Sequence, residues 1–87
     1  MKTISELAER AHALTREMPE DAVIIIHIFH ETQEIGMRVK YCREALVATE
    51  EIAARRGLGD SVKTTLKDGV ITVYIQEQDL RIWLKFQ

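Results

Sequence analysis

The chain has 87 residues, a length typical of one small domain, so we expect residues 1–87 to fold as a single unit. Its formal net charge of −2 excludes the strongly basic class of proteins that coat nucleic acids or membrane surfaces. A single cysteine, Cys42, excludes the disulfide-stapled secreted class, and no apolar run approaches the roughly 20 residues of a membrane span.

The first predicted element is an amphipathic helix from Thr3 to about Glu17. Thr3 and Glu6 have the spacing of a capping box, and Pro19 ends the helix because it disfavours helical geometry in the preceding residue. Charged side chains in the first half of this helix stand where a signal peptide needs an apolar core, so we expect a cytoplasmic protein. The buried stripe consists of Ile4, Leu7, Ala8, Ala11, Leu14 and Met18.

The second predicted element is a strand from Asp21 to His30, which is rich in β-branched residues. Both of its faces are apolar, a pattern typical of a strand that is covered on both sides. One face carries Val23, Ile25, His27 and Phe29, and the other carries Ile24, Ile26 and Ile28.

The segment from Thr32 to Arg56 has two interpretations, and we favour a single long helix that ends at the cap residue Gly57. Its inner stripe is Ile35, Val39, Cys42, Leu46, Thr49 and Ala53. This helix contains Gly36 in its first turns, at a cost of about 1 kcal/mol relative to alanine. The alternative makes Ile35 to Tyr41 a strand, since apolar and basic residues alternate there, and begins the helix near Arg43.

The last third of the chain, Ser61 to Gln87, is predicted to form three antiparallel strands after a turn at residues 57–60. Asp68-Gly69 is typical of a type I′ hairpin turn, and Gln78-Asp79 is the centre of the next connection. Both turns independently give the same register, and a slip of one residue would reverse every side chain. The face that both turns predict consists of Val62, Leu66, Ile71, Val73, Ile75, Ile82, Leu84 and Phe86.

Together these elements predict an α+β fold in the order α-β-α-β-β-β, with a C-terminal β-meander. Two helices pack on one face of a four-stranded mixed or antiparallel sheet. The sequence leaves open whether the first strand lies beside the 61–67 strand or beside the 80–86 strand.

Two helices can cover one face of this sheet, so we predict that the other face is an interaction surface. In the derived register Tyr74 lies opposite Trp83, and Tyr, Trp and Arg are enriched at binding hot spots. If Val23, Ile25 and Phe29 meet the helices, then Ile24, Ile26 and Ile28 lie on this face. Leaving an isoleucine exposed forgoes about 1.5–3 kcal/mol of burial free energy. Cross-strand aromatic pairs can also stabilise a small sheet without any partner. The candidate partner-binding residues are Tyr74, Trp83, Lys63, Arg81, Lys85, Ile24, Ile26 and Ile28.

No residue pattern indicates catalysis, a cofactor or a metal site, so we expect none of them. His27 and His30 are three residues apart, and on a strand they point to opposite faces. Cys42 lies on the predicted buried stripe, which favours packing over a nucleophilic role. Gly57 and Gly59 follow a helix and lack the third glycine of a phosphate-binding loop.

The sequence therefore predicts a non-catalytic protein-binding module, an inhibitor, adaptor or regulator, whose partner is another protein or a second copy in a homodimer. In size and charge the chain is similar to the small inhibitors that bacteriophages encode against host defences, such as anti-CRISPR proteins. That similarity is one of general profile and involves no shared motif. The alternative is single-stranded nucleic-acid binding on the same face, since lysines and Arg81 are interleaved with its aromatic residues. We expect no membrane partner.

Overall fold

The computed structural model describes residues 1–55 and 62–87, so the predicted cap and turn at residues 57–60 lie outside the described residues. The elements are α1 (Ile4–Glu17), β1 (Val23–Phe29), β2 (Glu34–Val39), α2 (Arg43–Arg55), β3 (Val62–Lys67), β4 (Val70–Glu77) and β5 (Leu80–Phe86). They form an α+β fold in which both described helices pack on one face of a five-stranded mixed sheet. The capping box predicted for Thr3 and Glu6 is confirmed at the start of α1.

The strand order of the sheet is β1-β2-β5-β4-β3, so the prediction of four strands is wrong. The additional strand, β2, pairs antiparallel with β1 and parallel with β5, and it separates β1 from both neighbours that the sequence suggested. Strands β3, β4 and β5 form the predicted antiparallel meander. Its register is confirmed, with Leu66 paired with Ile71 and Val73 paired with Leu84.

The strand β2 replaces the first part of the favoured long helix, and the alternative interpretation, with a helix that begins at Arg43, is confirmed. The physical reason is that β2 pairs with β5, a strand that is remote in sequence, as well as with β1. Between β1 and β5, β2 buries Ile35, Met37 and Val39 completely. As a strand, this segment forms backbone hydrogen bonds to both neighbours and buries these three side chains. Together these effects favour a strand, although the spacing of the same residues also fits a helix.

The turn between β1 and β2 is fixed by the buried side chain of Gln33, whose backbone has a φ of 54°. Its Nε2 donates hydrogen bonds to the carbonyl oxygens of His30 (2.8 Å) and Lys2 (3.0 Å). Its Oε1 accepts a hydrogen bond from the backbone N–H of Lys2 at 2.8 Å. One side chain therefore holds the hairpin and also attaches the N-terminal segment to it.

The core lies between the helices and one sheet face. The strands contribute Ile35, Met37, Val39, Val73, Ile75, Leu80, Ile82, Leu84 and Phe86, and the helices contribute Leu7, Ala11, Leu14, Ala45 and Ile52. Leu66 was predicted on this face, but it lies on the outer strand β3 and is 72% exposed. Arg10 donates two hydrogen bonds to the Glu77 carboxylate (3.1 and 2.7 Å), which ties α1 to the end of β4.

Candidate interaction surface

The sheet face opposite the helices, which we call the open face, is centred on a row of directly paired residues. Across the five strands this row contains His27, Gly36, Trp83, Tyr74 and Lys63. Residues that pair directly across neighbouring strands project on the same side of the sheet. The predicted pairing of Tyr74 with Trp83 is therefore part of a longer row that reaches the first strand.

Gly36 allows the indole of Trp83 to lie directly on the backbone of β2. A Cβ atom at position 36 would overlap three ring atoms of the indole. The Trp83 ring stacks with His27 at a centroid distance of 5.9 Å and an interplanar angle of 28°. His27 in turn stacks with Phe29 at 6.0 Å and 20°. These three rings, together with Tyr74, form what we call the aromatic strip.

Basic side chains surround the aromatic strip. The Nζ of Lys85 lies 5.8 Å from the centroid of the Trp83 ring, within the range of a cation–π interaction. Arg81 is 57% exposed, and its Nη1 is 3.6 Å from Oε1 of Glu34. On the described strands, Glu34 is the single acidic residue of the open face, against the basic residues Arg38, Lys63, Lys67, Arg81 and Lys85. The open face is thus basic, although the whole chain has a net charge of −2.

Tyr74 and its neighbours also border a hollow of about 450 Å³ on the open face. Its lining is Lys63, Thr65, Tyr74, Ile75, Gln76 and Arg81. Lys63, Thr65, Gln76 and Arg81 give the hollow polar and basic groups, and Tyr74 joins it to the aromatic strip. The surface can therefore offer flat aromatic contact and charged hydrogen-bond donors side by side.

The prediction that Ile24, Ile26 and Ile28 lie on the same sheet face as Tyr74 requires a correction. Ile26 pairs with Met37 and Ile28 pairs with Ile35, so their side chains lie on the helix side of the sheet and not beside Tyr74. Ile24 lies at an irregularity in the β1–β2 register. The predicted exposure nevertheless holds, since Ile24, Ile26 and Ile28 are 56, 39 and 38% exposed. They remain accessible because β1 is the outermost strand of the sheet.

Sequence reasoning missed the members of the open face that β1 and β2 contribute. Ile25, His27 and Phe29 were grouped on the face that meets the helices, Gly36 and Arg38 were placed in a helix, and Glu34 was likewise assigned to that helical segment. Each of these positions depends on β2, which sets the register of β1 and carries Arg38 itself. The alternation of apolar and basic residues from Ile35 to Tyr41 was the available signal.

Within residues 1–55 and 62–87, no three His, Cys, Asp or Glu side chains are grouped closely enough to hold a metal ion. Cys42 is partly buried and packs against the core. Neither described helix has the length and apolar character needed to cross a membrane.

Comparisons of the chain with protein-family models, with curated proteins and with solved structures gave no match. Inference about function therefore starts from the geometry of the open face.

Proposed function

We propose that this protein is a non-catalytic protein-binding module, an inhibitor, adaptor or regulator, that binds an acidic protein partner through its open face. The observation that carries the proposal is the aromatic strip, which lies between basic side chains on the sheet face that has no described helix against it. Partly exposed aromatic rings supply large contact area at low cost in side-chain entropy. A partner that covers them gains a desolvated centre with a charged rim.

The charge of the open face favours an acidic partner. Lys63 and Arg81 project beside Tyr74, and Lys85 projects beside Trp83. Charges at the rim of an interface increase the association rate and select partners more than they increase affinity. The aromatic strip would therefore supply most of the affinity, and the basic rim would supply specificity.

A second candidate function is binding of single-stranded nucleic acid on the same face. The observation in its favour is the combination of stacked rings with five basic residues on the described strands. Bases can stack on exposed aromatic rings while lysine and arginine contact the phosphates. Such binding weakens steeply with added salt because counterions are released, whereas an interface with an aromatic centre responds much less.

The test compares Trp83→Ala with a matched control, Tyr41→Ala, which removes an aromatic ring that is 56% exposed outside the aromatic strip. A protein captured from a lysate by the wild-type chain should be retained by Tyr41→Ala. Loss of one central hot spot of about 2 kcal/mol should weaken its binding to Trp83→Ala about 30-fold. Circular dichroism verifies that both variants are folded.

Undiminished capture by a folded Trp83→Ala variant would contradict the proposal, and the ring would then act in sheet stability alone. Labelled oligo(dT) and oligo(U) probes test the second function by fluorescence anisotropy. Binding that falls by about 10²-fold between roughly 50 and 200 mM salt, as about five phosphate contacts on a single strand predict, would favour nucleic acid over a protein partner.

A further inference from the structure

The edge strand β1 is the second unusual surface of this molecule. It pairs with β2 on one side, and no strand within residues 1–55 and 62–87 pairs with its other side. Its seven residues, Val23–Phe29, include no Asp, Glu, Lys or Arg. Exposed edge strands of this type pair readily with other strands, and proteins usually protect them with charged residues.

The opposite edge of the sheet differs in this respect. The edge strand β3 carries Lys63 and Lys67, which are both exposed. Lysines on an edge strand oppose pairing with another chain, because an approaching strand would have to desolvate their charges. The molecule thus has one protected edge and one edge, β1, without this protection.

Backbone hydrogen bonds at the two ends of β2 show which of its N–H and C=O groups point toward β5. The carbonyl oxygen of Gln33 accepts a hydrogen bond from Arg81 N–H at 3.0 Å, and that of Val39 accepts one from Gln87 N–H at 2.9 Å. Backbone groups alternate in direction along a strand. The odd-numbered residues of β2 therefore bond to β5, and the even-numbered residues bond to β1.

The residues of β1 that pair with these even-numbered positions are Ile25, His27 and Phe29. Their N–H and C=O groups are used within the sheet. By the same alternation, Ile26 and Ile28 direct their N–H and C=O groups outward, away from β2. The β1 edge therefore offers backbone hydrogen-bond donors and acceptors, as well as apolar surface, to the strand of another molecule.

We propose that β1 pairs antiparallel with β1 of a second copy, about a two-fold axis at His27. In this register Ile26 of each copy pairs with Ile28 of the other, so the outward backbone groups of all four residues are satisfied. Ile25 of each copy then lies opposite Phe29 of the other. Apolar residues on both sides of β1 thereby gain apolar cross-strand neighbours, which suits a strand that is apolar on two faces.

The occupant follows from the strand itself. A second copy supplies an apolar partner over residues 25–29, because Ile25 then faces Phe29 and Ile26 faces Ile28, while the two His27 side chains lie opposite each other on the axis. The dimer joins two five-stranded sheets into one and makes the two aromatic strips continuous through His27 of each copy. This inference is independent of the proposed function, because it concerns the edge and not the open face.

The first test is the molar mass of the purified chain over a wide concentration range, by sedimentation equilibrium. The wild type should approach twice the 10.0 kDa of one chain. Ile28→Lys places a charge in the pairing edge and should remain at the mass of one chain. The matched control, Ile4→Lys, changes an isoleucine of α1 that is 61% exposed and should dimerise like the wild type.

The second test fixes the register and does not depend on the folding of Ile28→Lys. In a Cys42→Ala background, His27→Cys brings two thiols to a directly opposed pair, with Cα atoms about 4.5 Å apart. Ile25→Cys, the control, leaves its two thiols about 13 Å apart. Mild oxidation should give about tenfold more covalent dimer for His27→Cys than for Ile25→Cys.

A wild type that stays monomeric, a dimer that persists in folded Ile28→Lys, or equal cross-linking of the two cysteine variants would each overturn the inference. Trp83→Ala should retain the dimer even where it loses the partner protein. Failure of the edge proposal and failure of the proposed function therefore give different results.

Discussion

At the scale of single residues, Gly36 determines the shape of the open face. Its φ lies outside the left-handed region, and what the position requires is the absence of a Cβ atom, because the Trp83 indole occupies that space. The sequence pattern placed this glycine in a helix, which it would destabilise by about 1 kcal/mol relative to alanine. In the structure it is the residue that lets the largest side chain of the aromatic strip lie against the backbone.

We predict that Gly36→Ala destabilises the fold by about 1–3 kcal/mol, because the added methyl group displaces the indole from a packed position. In a Trp83→Ala background the same substitution should cost little, since the space is then free. Urea denaturation of the wild type, both single variants and the double variant measures this coupling. Equal costs in the two backgrounds would mean that Gly36 does not support the ring.

At the scale of elements, local turn chemistry was enough to predict the meander. Asp68 and Gly69 have positive φ values of 52° and 78°, as a type I′ turn requires, and Gln78 has 55°. Each turn fixes the pairing of the strands beside it, so the register of β3, β4 and β5 followed from nearby residues alone.

The strands β1 and β2 could not be predicted in the same way. The residues of β2 have spacing that also fits a helix, and the strand forms because it pairs with β1 and with the remote β5. A strand with two apolar faces carries no signal for which face meets the core. The sequence therefore placed Tyr74, Trp83, Lys63, Arg81 and Lys85 on one sheet face, but it missed Arg38 and placed Ile26 and Ile28 on the wrong side.

The capping box of α1 gives a prediction for the pH dependence of stability. The Glu6 carboxylate accepts a hydrogen bond from Thr3 N–H at 2.9 Å, and the Thr3 hydroxyl accepts one from Glu6 N–H at 3.2 Å. The bond from Thr3 N–H to the carboxylate is the largest cause that lowers the pKa of Glu6 below its ordinary value of 4.5. A lowered pKa in the folded state means that the carboxylate stabilises the fold above the ordinary pKa and loses this effect as the pH falls through the lowered one.

We expect the wild type to exceed Glu6→Gln in stability at neutral pH, and the difference to shrink as the pH falls below about 4.5. Denaturation midpoints at a series of pH values measure it. Glu9→Gln is the control, since Glu9 is an exposed carboxylate of the same helix outside the capping box. A difference that is constant between neutral pH and pH 3 would contradict the role of the ionised Glu6.

At the scale of the whole molecule, the fold separates two kinds of surface. The helices cover the central strands, whose side chains on that face are buried, and they leave β1 partly exposed at the margin. The open face combines aromatic rings with basic residues, whereas the β1 edge is apolar and uncharged. A short chain buries only about 60% of its unfolded surface, so the proposed assembly would add burial that the single chain lacks.

The direction of the β1 backbone predicts how assembly changes hydrogen exchange. The amides of Ile25, His27 and Phe29 bond to β2 and should be protected at every protein concentration. The amides of Ile26 and Ile28 point outward and should exchange rapidly in the monomer, then become protected as the dimer forms. Residue-resolved exchange at low and high concentration measures both sets in one experiment. Protection of Ile26 and Ile28 that does not change with concentration would assign their amides to bonds within one chain and remove the free edge on which the dimer depends.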